Sequence, residues 1–356
     1  MNNQEIKIEI LLEEVFRKKA SDLHLQVGIP PTLRIDGLLS PISAYNALDE
    51  ATIEALIFSI LEPDQKEILL KDKEFDFSFA FGTLGRFRVN AFHERGNLAA
   101  ALRLVPNDIK TITELSLPAV VSTFADFPRG LVLITGPTGS GKSTTLAALI
   151  DKINSEKASH IITIEDPIEF THNPKKSVIV QREVHYDTYS FSASLRSSLR
   201  QDPDVVMIGE MRDLETISAA ITIAETGHLV FATLHTNSSS QSVDRIIDVF
   251  PPHQQSEIRT QLASILMAIC SQRLIPSVGG GRLPAMEILI ANPAVRNIIR
   301  EGKTHQLDAI IQTSADQGMQ TMDRTLAQMV RNGNVTYDNA RDYAVDVAEF
   351  DRLIRS

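Results

Sequence analysis

Cysteine is almost absent. The 356-residue chain holds one, Cys270, so neither a disulfide framework nor a four-cysteine zinc site can be assembled from it. That usage suits a reducing cytoplasm, where disulfides are rare. Positive charge is in deficit: 35 Lys and Arg against 45 Asp and Glu leave a formal net charge of −10. A chain this acidic argues against a general nucleic-acid binder, which neutralises phosphates with a basic face. Long apolar runs are missing too. No uncharged stretch approaches the ~20 residues of a membrane helix. Residues 1–22 carry charges throughout and do not read as a secretory signal. No direct nucleic acid and no direct membrane insertion are therefore expected. What is present is ordinary globular composition, 43% hydrophobic and 22% charged, in a length that suits two to three domains.

The texture of the chain changes near its first third. Ile8, Leu11, Leu12, Val15 and Phe16 recur at helical spacing. DLHLQV at 22–27 alternates as a strand, and GIPPTLRIDG reads as a break and turn. Asp49 can cap a helix carrying Ile53, Leu56, Ile57, Ile60 and Leu61. Phe75, Phe77, Phe79 and Phe81 fall at period two. In RFRVNAF, Arg86, Arg88 and Asn90 stand opposite Phe87 and Val89, and residues 98–105 suit one more strand. Residues 1–105 are thus expected to form a small α+β domain on an antiparallel sheet. Residues 106–117 begin with Pro106, stop before Pro118 and show little apolar periodicity, so they read as a linker or hinge. From 118 to 356 the buried-type strands LVLITG, IITIEDP, VVMIGE and HLVFATLH follow one another, several separated by helical segments. This is the pattern of a largely parallel α/β sheet covered on both faces. Residues 253–275 read as one long helix, and shorter helices follow to the end.

The sharpest chemical signal is GPTGSGKST at 136–144, which fits G-x-x-x-x-G-K-[ST] between the apolar strand LVLIT and a helix. Gly136, Gly139 and Gly141 let backbone N–H groups face phosphates without Cβ obstruction. Thr138, Ser140 and Thr144 complete the loop, and the helix N-terminus favours an anion. Lys142 is expected at the β- and γ-phosphates of ATP, and the Ser143 hydroxyl at Mg²⁺. Glu210 ends the apolar strand VVMIGE, at the edge where α/β sheets bind ligands. Gly209 stands where many P-loop enzymes have Asp. Glu165 and Asp166 close another strand in the same way. His228 and His235 are seven apart and point to opposite faces of an extended strand, so they do not form an obvious metal pair. His235 lies at the carboxyl end. Arg86, Arg88, Arg95 and Arg103 suit a solvated strand face or an arginine finger lent to another subunit.

Together these segments resemble the type IV pilus retraction ATPases, the PilT family of the secretion ATPases. The resemblance spans ASDLHLQVGIPPTLRIDG at 20–37, RFRVNAF, the phosphate loop, TIEDPIEF at 163–170, DVVMIGEMRDLETI at 204–217, AETGHLVFATLHT at 224–236, GGGRLPAMEI, and AVRNIIRE at 294–301. It implies a homohexameric, ATP-hydrolysing motor for pilus retraction and twitching motility. Each chain would carry an N-terminal PAS-like domain, a RecA-like P-loop core and C-terminal helices. By resemblance Glu210 is the catalytic base, Glu165 supports metal and water, and His235 senses the γ-phosphate. Arg88 and Arg103 match the arginines that reach the nucleotide, whereas a one-residue difference leaves Arg95 unassigned. Ala232 stands where many members have Gly. The implied setting is the cytoplasmic side of the inner membrane, with a platform protein of the pilus machine and an accessory retraction ATPase as candidate partners. A nucleotide-dependent scaffold with little turnover is the alternative. A P-loop small-molecule kinase is a third reading, for which no acceptor site is evident.

Asn292 and Pro293 suit the start of a helix. Val295, Ile298 and Ile299 form its apolar face. Arg296 and Arg300, four apart on another face, are expected to be exposed and to invite a carboxylate or backbone carbonyl.

Overall fold

A computed structural model describes residues 6–35, 37–82, 84–105 and 108–355. It divides into two compact units, one ending at 107 and one running from 108. The first unit contains α1 (Ile8–Arg17), β1 (Asp22–Leu25), β2 (Thr32–Ile35), β3 (Leu38–Pro41), α2 (Glu50–Phe58), α3 (Pro63–Asp72), β4 (Glu74–Phe81), β5 (Gly85–Glu94) and β6 (Asn97–Val105). Among the described residues its strands form one antiparallel sheet in the order β3-β2-β1-β6-β5-β4. Alternation decides the faces. Leu23, Leu33, Leu102, Val89 and Phe87 are buried, with Leu11, Leu12, Val15, Ile53 and Ile57 in the same core. Asp22, Arg103 and Arg88 share one cross-strand row, whose opposite face is the apolar one. Asp49 caps α2 by accepting the Thr52 N–H, as its place in the sequence suggests. The segment expected to be only a turn holds β2 after Pro30 and Pro31. Ser21 N–H donates to Arg34 carbonyl, and β2 pairs with both β1 and β3.

The second unit contains α4 (Ala119–Ser122), β7 (Gly130–Thr135), α5 (Lys142–Glu156), β8 (His160–Glu165), β9 (Val178–Glu183), α6 (Phe191–Ser198), β10 (Val205–Ile208), α7 (Leu214–Glu225) and β11 (Leu229–Leu234). It continues with α8 (Ser239–Asp248), α9 (Gln255–Ile265), β12 (Leu266–Pro276), β13 (Arg282–Ile290) and α10 (Pro293–Glu301), and then α11 (Leu307–Thr313), α12 (Met322–Arg331), α13 (Tyr337–Arg341) and α14 (Val347–Arg355). The sheet order is β13-β12-β7-β11-β10-β8-β9, and only β13 runs antiparallel to its neighbour. Every residue of β7, β10 and β11 is buried, the mark of strands covered on both faces.

One expectation is corrected by the course of the chain after 253. Residues 253–275 are not one helix: α9 stops at Ile265 and β12 takes over, parallel to β7 and antiparallel to β13. LMAIC is apolar on both faces, and periodicity alone does not separate a buried strand from a buried helix. In the segment read as a linker or hinge, the residues from 108 onward belong to the second unit. Ile112 and Leu117 are buried in the core that holds Val132, Leu149 and Phe231. Pro106 and Asn107 lie outside the described residues.

Among the described residues no helix is long and apolar enough to cross a membrane.

Candidate nucleotide site

The carboxyl ends of β7, β8, β10 and β11 gather the groups singled out above. Loop 136–141, holding Gly136, Thr138, Gly139, Ser140 and Gly141, leaves β7 and enters α5, whose first residues are Lys142, Ser143 and Thr144. Gly136, Gly139 and Gly141 all have positive φ, where a side chain would be strained. Space supplies a second reason. A Cβ on Gly136 would stand 2.3 Å from the Gln272 carbonyl oxygen, and one on Gly141 2.8 Å from the Gln272 amide nitrogen. Gly139 faces open space. Lys142 folds back over the loop, its Nζ donating to the carbonyls of Gly136 at 2.9 Å and Pro137 at 3.1 Å. Burial pushes the Lys142 ammonium below its usual range, and the charges of Glu169 and Glu210 act in the opposite sense. Both carboxylates are therefore electrostatic neighbours of this lysine.

Glu210 follows β10 and is largely buried. One oxygen lies 2.7 Å from Arg212 Nε and 3.2 Å from His235 Nε2. His235 follows β11, parallel to β10, so the register brings the two ends together. Gly209 is small for a local reason. A Cβ there would lie 3.3 Å from Glu165 Cα and from the Ile164 carbonyl oxygen, while its N–H donates to that same carbonyl at 2.8 Å. An Asp at 209 would push against the end of β8.

Glu165 is 7% exposed. Its carboxyl accepts from Thr163 Oγ1 at 2.7 Å, from Gln181 Nε2 at 3.3 Å and from the Glu169 N–H at 3.3 Å. Burial dominates and pushes its pKa up to about 7. His228 sits at the other end of β11. Its Nδ1 lies 2.9 Å from the Ile223 carbonyl and 3.1 Å from Thr226 Oγ1. The two histidines therefore do not meet, and no cluster of metal-ligating side chains occurs among the described residues.

The arginines belong to the first unit. Arg88 and Arg103 face each other across β5 and β6, and Arg103 Nε lies 2.7 Å from Asp22 Oδ1. Arg86 bonds the Ser78 hydroxyl. Arg95 occupies the β5–β6 turn at φ 51° and pairs with Glu94. Reading the sequence alone missed Gln272, Gln181, Arg212 and Glu169. Glu169 was within reach, since it belongs to the same EDPIE run as Glu165. Gln272 was hidden by the misread helix.

The loop suits a phosphate chain and its counter-ion. Its glycines leave open space at Gly139. The buried Ser140 hydroxyl has no hydrogen-bond partner, and an ammonium stands among loop carbonyls beside two carboxylates.

α10 begins as expected, with Asn292 accepting the Val295 N–H and Val295, Ile298 and Ile299 buried. Arg296 finds backbone carbonyls, one of the two partners expected, but is not exposed. It is half-buried, and its guanidinium donates to the carbonyls of Ala291 at 3.0 Å and Ser264 at 2.7 Å, and also to that of Ala263. It closes the C-terminal turn of α9, where orphan carbonyls need donors. Arg300 is exposed.

The family model described as type II/IV secretion system protein matches residues 3–342. The type IV pilus retraction ATPase PilT of Pseudomonas aeruginosa is 49% identical over 328 residues, covering 92% of this chain and 95% of the relative. A twitching motility protein of Neisseria gonorrhoeae is 48% identical over 312 residues, covering 87% and 83%. A crystal structure of the pilus retraction motor PilT with bound ADP superposes with a TM-score of 0.91 at 46% identity, covering 98% of this chain and 99% of that one.

Proposed function

This chain belongs to the type II/IV secretion system protein family, and from that membership we propose how its site drives a pilus retraction motor. It is an ATPase of type IV pilus retraction, similar over nearly its whole length to retraction ATPases. One observation carries the mechanism: Lys142, rooted in the glycine loop, lies within electrostatic reach of Glu169 and of Glu210, which His235 and Arg212 hold.

The loop N–H groups and the α5 N-terminus bind the phosphates of ATP. Lys142 exchanges the carbonyls of Gly136 and Pro137 for β/γ-phosphate oxygens. Glu210 accepts the proton of the attacking water, and its contacts with Arg212 and His235 hold it in place. His235 then reads the presence of the γ-phosphate through the same contact. Ser143, with Glu165 and Glu169 as supporting carboxylates, would hold the Mg²⁺ that accompanies the nucleotide, and that ion would neutralise phosphate charge. Arg88 and Arg103 act on the nucleotide of a neighbouring chain in a homohexamer. The hexamer works on the cytoplasmic side of the inner membrane against the pilus platform protein.

Steady-state phosphate release with Mg²⁺ and ATP tests the reading, alongside recovery of twitching in a retraction-deficient strain. Binding of ATP with no turnover above a Glu210→Gln control would favour the scaffold instead.

A further inference from the structure

Gln272 sits in mid-strand on β12, 2% exposed, with no charged group of its own to contribute. Both ends of its amide are used. Nε2 donates to the Ser140 carbonyl at 2.7 Å, and Oε1 accepts from Thr145 Oγ1 at 2.8 Å. Ser140 is the crest of the loop, and Thr145 lies in the first turn of α5. One side chain therefore ties the loop to the helix it feeds. The orientation of the amide follows from its partners: a carbonyl only accepts, so Nε2 must face Ser140.

The same residue shapes the loop sterically. Gly136 is pressed against its backbone carbonyl and Gly141 against its side-chain nitrogen. Beyond their positive φ, two of the three loop glycines thus also lie close against Gln272. The next residue back reinforces the join, Ser271 Oγ lying 2.9 Å from Thr135 Oγ1 at the end of β7. The residue after it points the other way, Arg273 donating to the Tyr343 carbonyl at 2.9 Å between α13 and α14.

We infer that Gln272 is the positioning residue of the nucleotide loop: it holds the curve from Gly136 to Gly141 ready for phosphate and does not itself touch the nucleotide. Pre-set donors bind anions without reorganising when the ligand arrives. Losing the brace therefore weakens binding first. The inference rests on the phosphate-loop reading above.

The test is ADP affinity by calorimetry on the full chain, with ATPase kinetics beside it. Gln272→Met keeps the length and apolar bulk but removes both bonds. Its ADP Kd is expected to rise about tenfold, the effect of one to two hydrogen bonds. KM should rise in step while kcat at saturation stays within about threefold, because Lys142 and Glu210 remain. Gln272→Glu keeps the acceptor for Thr145 and sets an oxygen against the Ser140 carbonyl, so its Kd should rise at least as far. Thr145→Val cuts one bond from the helix side, with little change in volume, and should give a smaller rise. A merely structural glutamine would lower the melting temperature and leave the Kd of the folded protein unchanged. Wild-type ADP affinity in any of these three folded variants overturns the inference. Wild-type affinity in Lys142→Ala as well would mean instead that the phosphate-loop reading itself has failed.

Discussion

Asp22 and Arg103 meet across the antiparallel sheet of the first unit, Oδ1 to Nε at 2.7 Å. The register carries the row further: Arg34 lies opposite Asp22 on one side, and Arg88 opposite Arg103 on the other. One buried carboxylate thus serves two guanidinium groups, Arg103 at 2.7 Å and Arg34 at 3.8 Å. Burial pushes the Asp22 carboxyl up, but the Ser21 hydroxyl and the Arg103 guanidinium together hold it below the usual carboxylate range. The Arg103 side chain stays mostly exposed, so its contact through Nε anchors the stem while the end remains in solvent.

That arrangement makes the arginine row testable. If Arg88 or Arg103 acts in trans, mixing Arg88→Ala or Arg103→Ala chains with Lys142→Ala chains should restore part of the lost ATPase rate, since some interfaces regain both groups. A trans arginine contributes ~10³–10⁵ in rate. Hexamers shown to be mixed yet inactive with either arginine variant would refute sharing. Because the lowered Asp22 pKa favours its ionised form, the stability from this pair is present at neutral pH. It should be lost as pH falls through that pKa, and Asp22→Asn should remove the loss.

Lys142→Ala should nearly abolish productive nucleotide use, because the cation over the β/γ-phosphates disappears. Phosphate release by the purified variant measures this. A rate near wild type would show that Lys142 only ties the loop to its own carbonyls.

Glu210→Gln should bind ATP and fail to hydrolyse it. The amide keeps the shape but does not take a proton at neutral pH. Collapse of nucleotide affinity, with unchanged turnover per bound ATP, would make Glu210 a structural partner of Arg212 and His235.

Glu165 predicts a pH signature. Its folded pKa of about 7 lies above the ordinary carboxylate value, so the folded chain binds the extra proton. Its contribution is full below about pH 4.5 and fades as pH rises through about 7, by up to ~3 kcal/mol. Denaturant melts of Glu165→Gln against wild type should therefore diverge toward alkaline pH, with the variant gaining. Parallel curves from pH 5 to 8 would contradict the buried assignment.

Arg296 and Arg300 should part company. Arg296→Ala leaves the last carbonyls of α9 without donors and should cost ~1–3 kcal/mol of stability. Arg300→Ala should leave melting temperature and ATPase rate unchanged while retraction in cells fails, if the exposed face of α10 couples to the pilus machine. Equal loss of turnover and retraction in Arg300→Ala would place α10 in support of the site instead.

How much of this was legible follows distance along the chain. The phosphate loop announces itself because strand, turn and helix are consecutive. The Asn292 cap and the apolar stripe of α10 are local in the same sense. The partners of Arg296 lie 33 and 32 residues earlier, so spacing found the pair of arginines and misjudged one environment. Gln272 and Ser140 are 132 residues apart, and the start of β12, LMAIC, is apolar on both faces. β2 was hidden by brevity, four residues behind two prolines. The closeness of Glu210 and His235 is a product of parallel register, which no short motif states.

Cys270, the chain's one thiol, lies two positions before Gln272 on β12 and is fully buried. Burial, with Glu287 nearby, pushes its ionisation far above the ordinary range, so a thiol reagent does not reach a reactive thiolate in the closed sheet. Modification must wait until the core that covers Cys270, with Phe124, Leu149 and Met286, opens. The labelling rate of Cys270 is then a clock for that opening, readable without engineering the chain. Run with and without ADP, the clock reports how long the core around Cys270 stays shut, and how far nucleotide lengthens the interval.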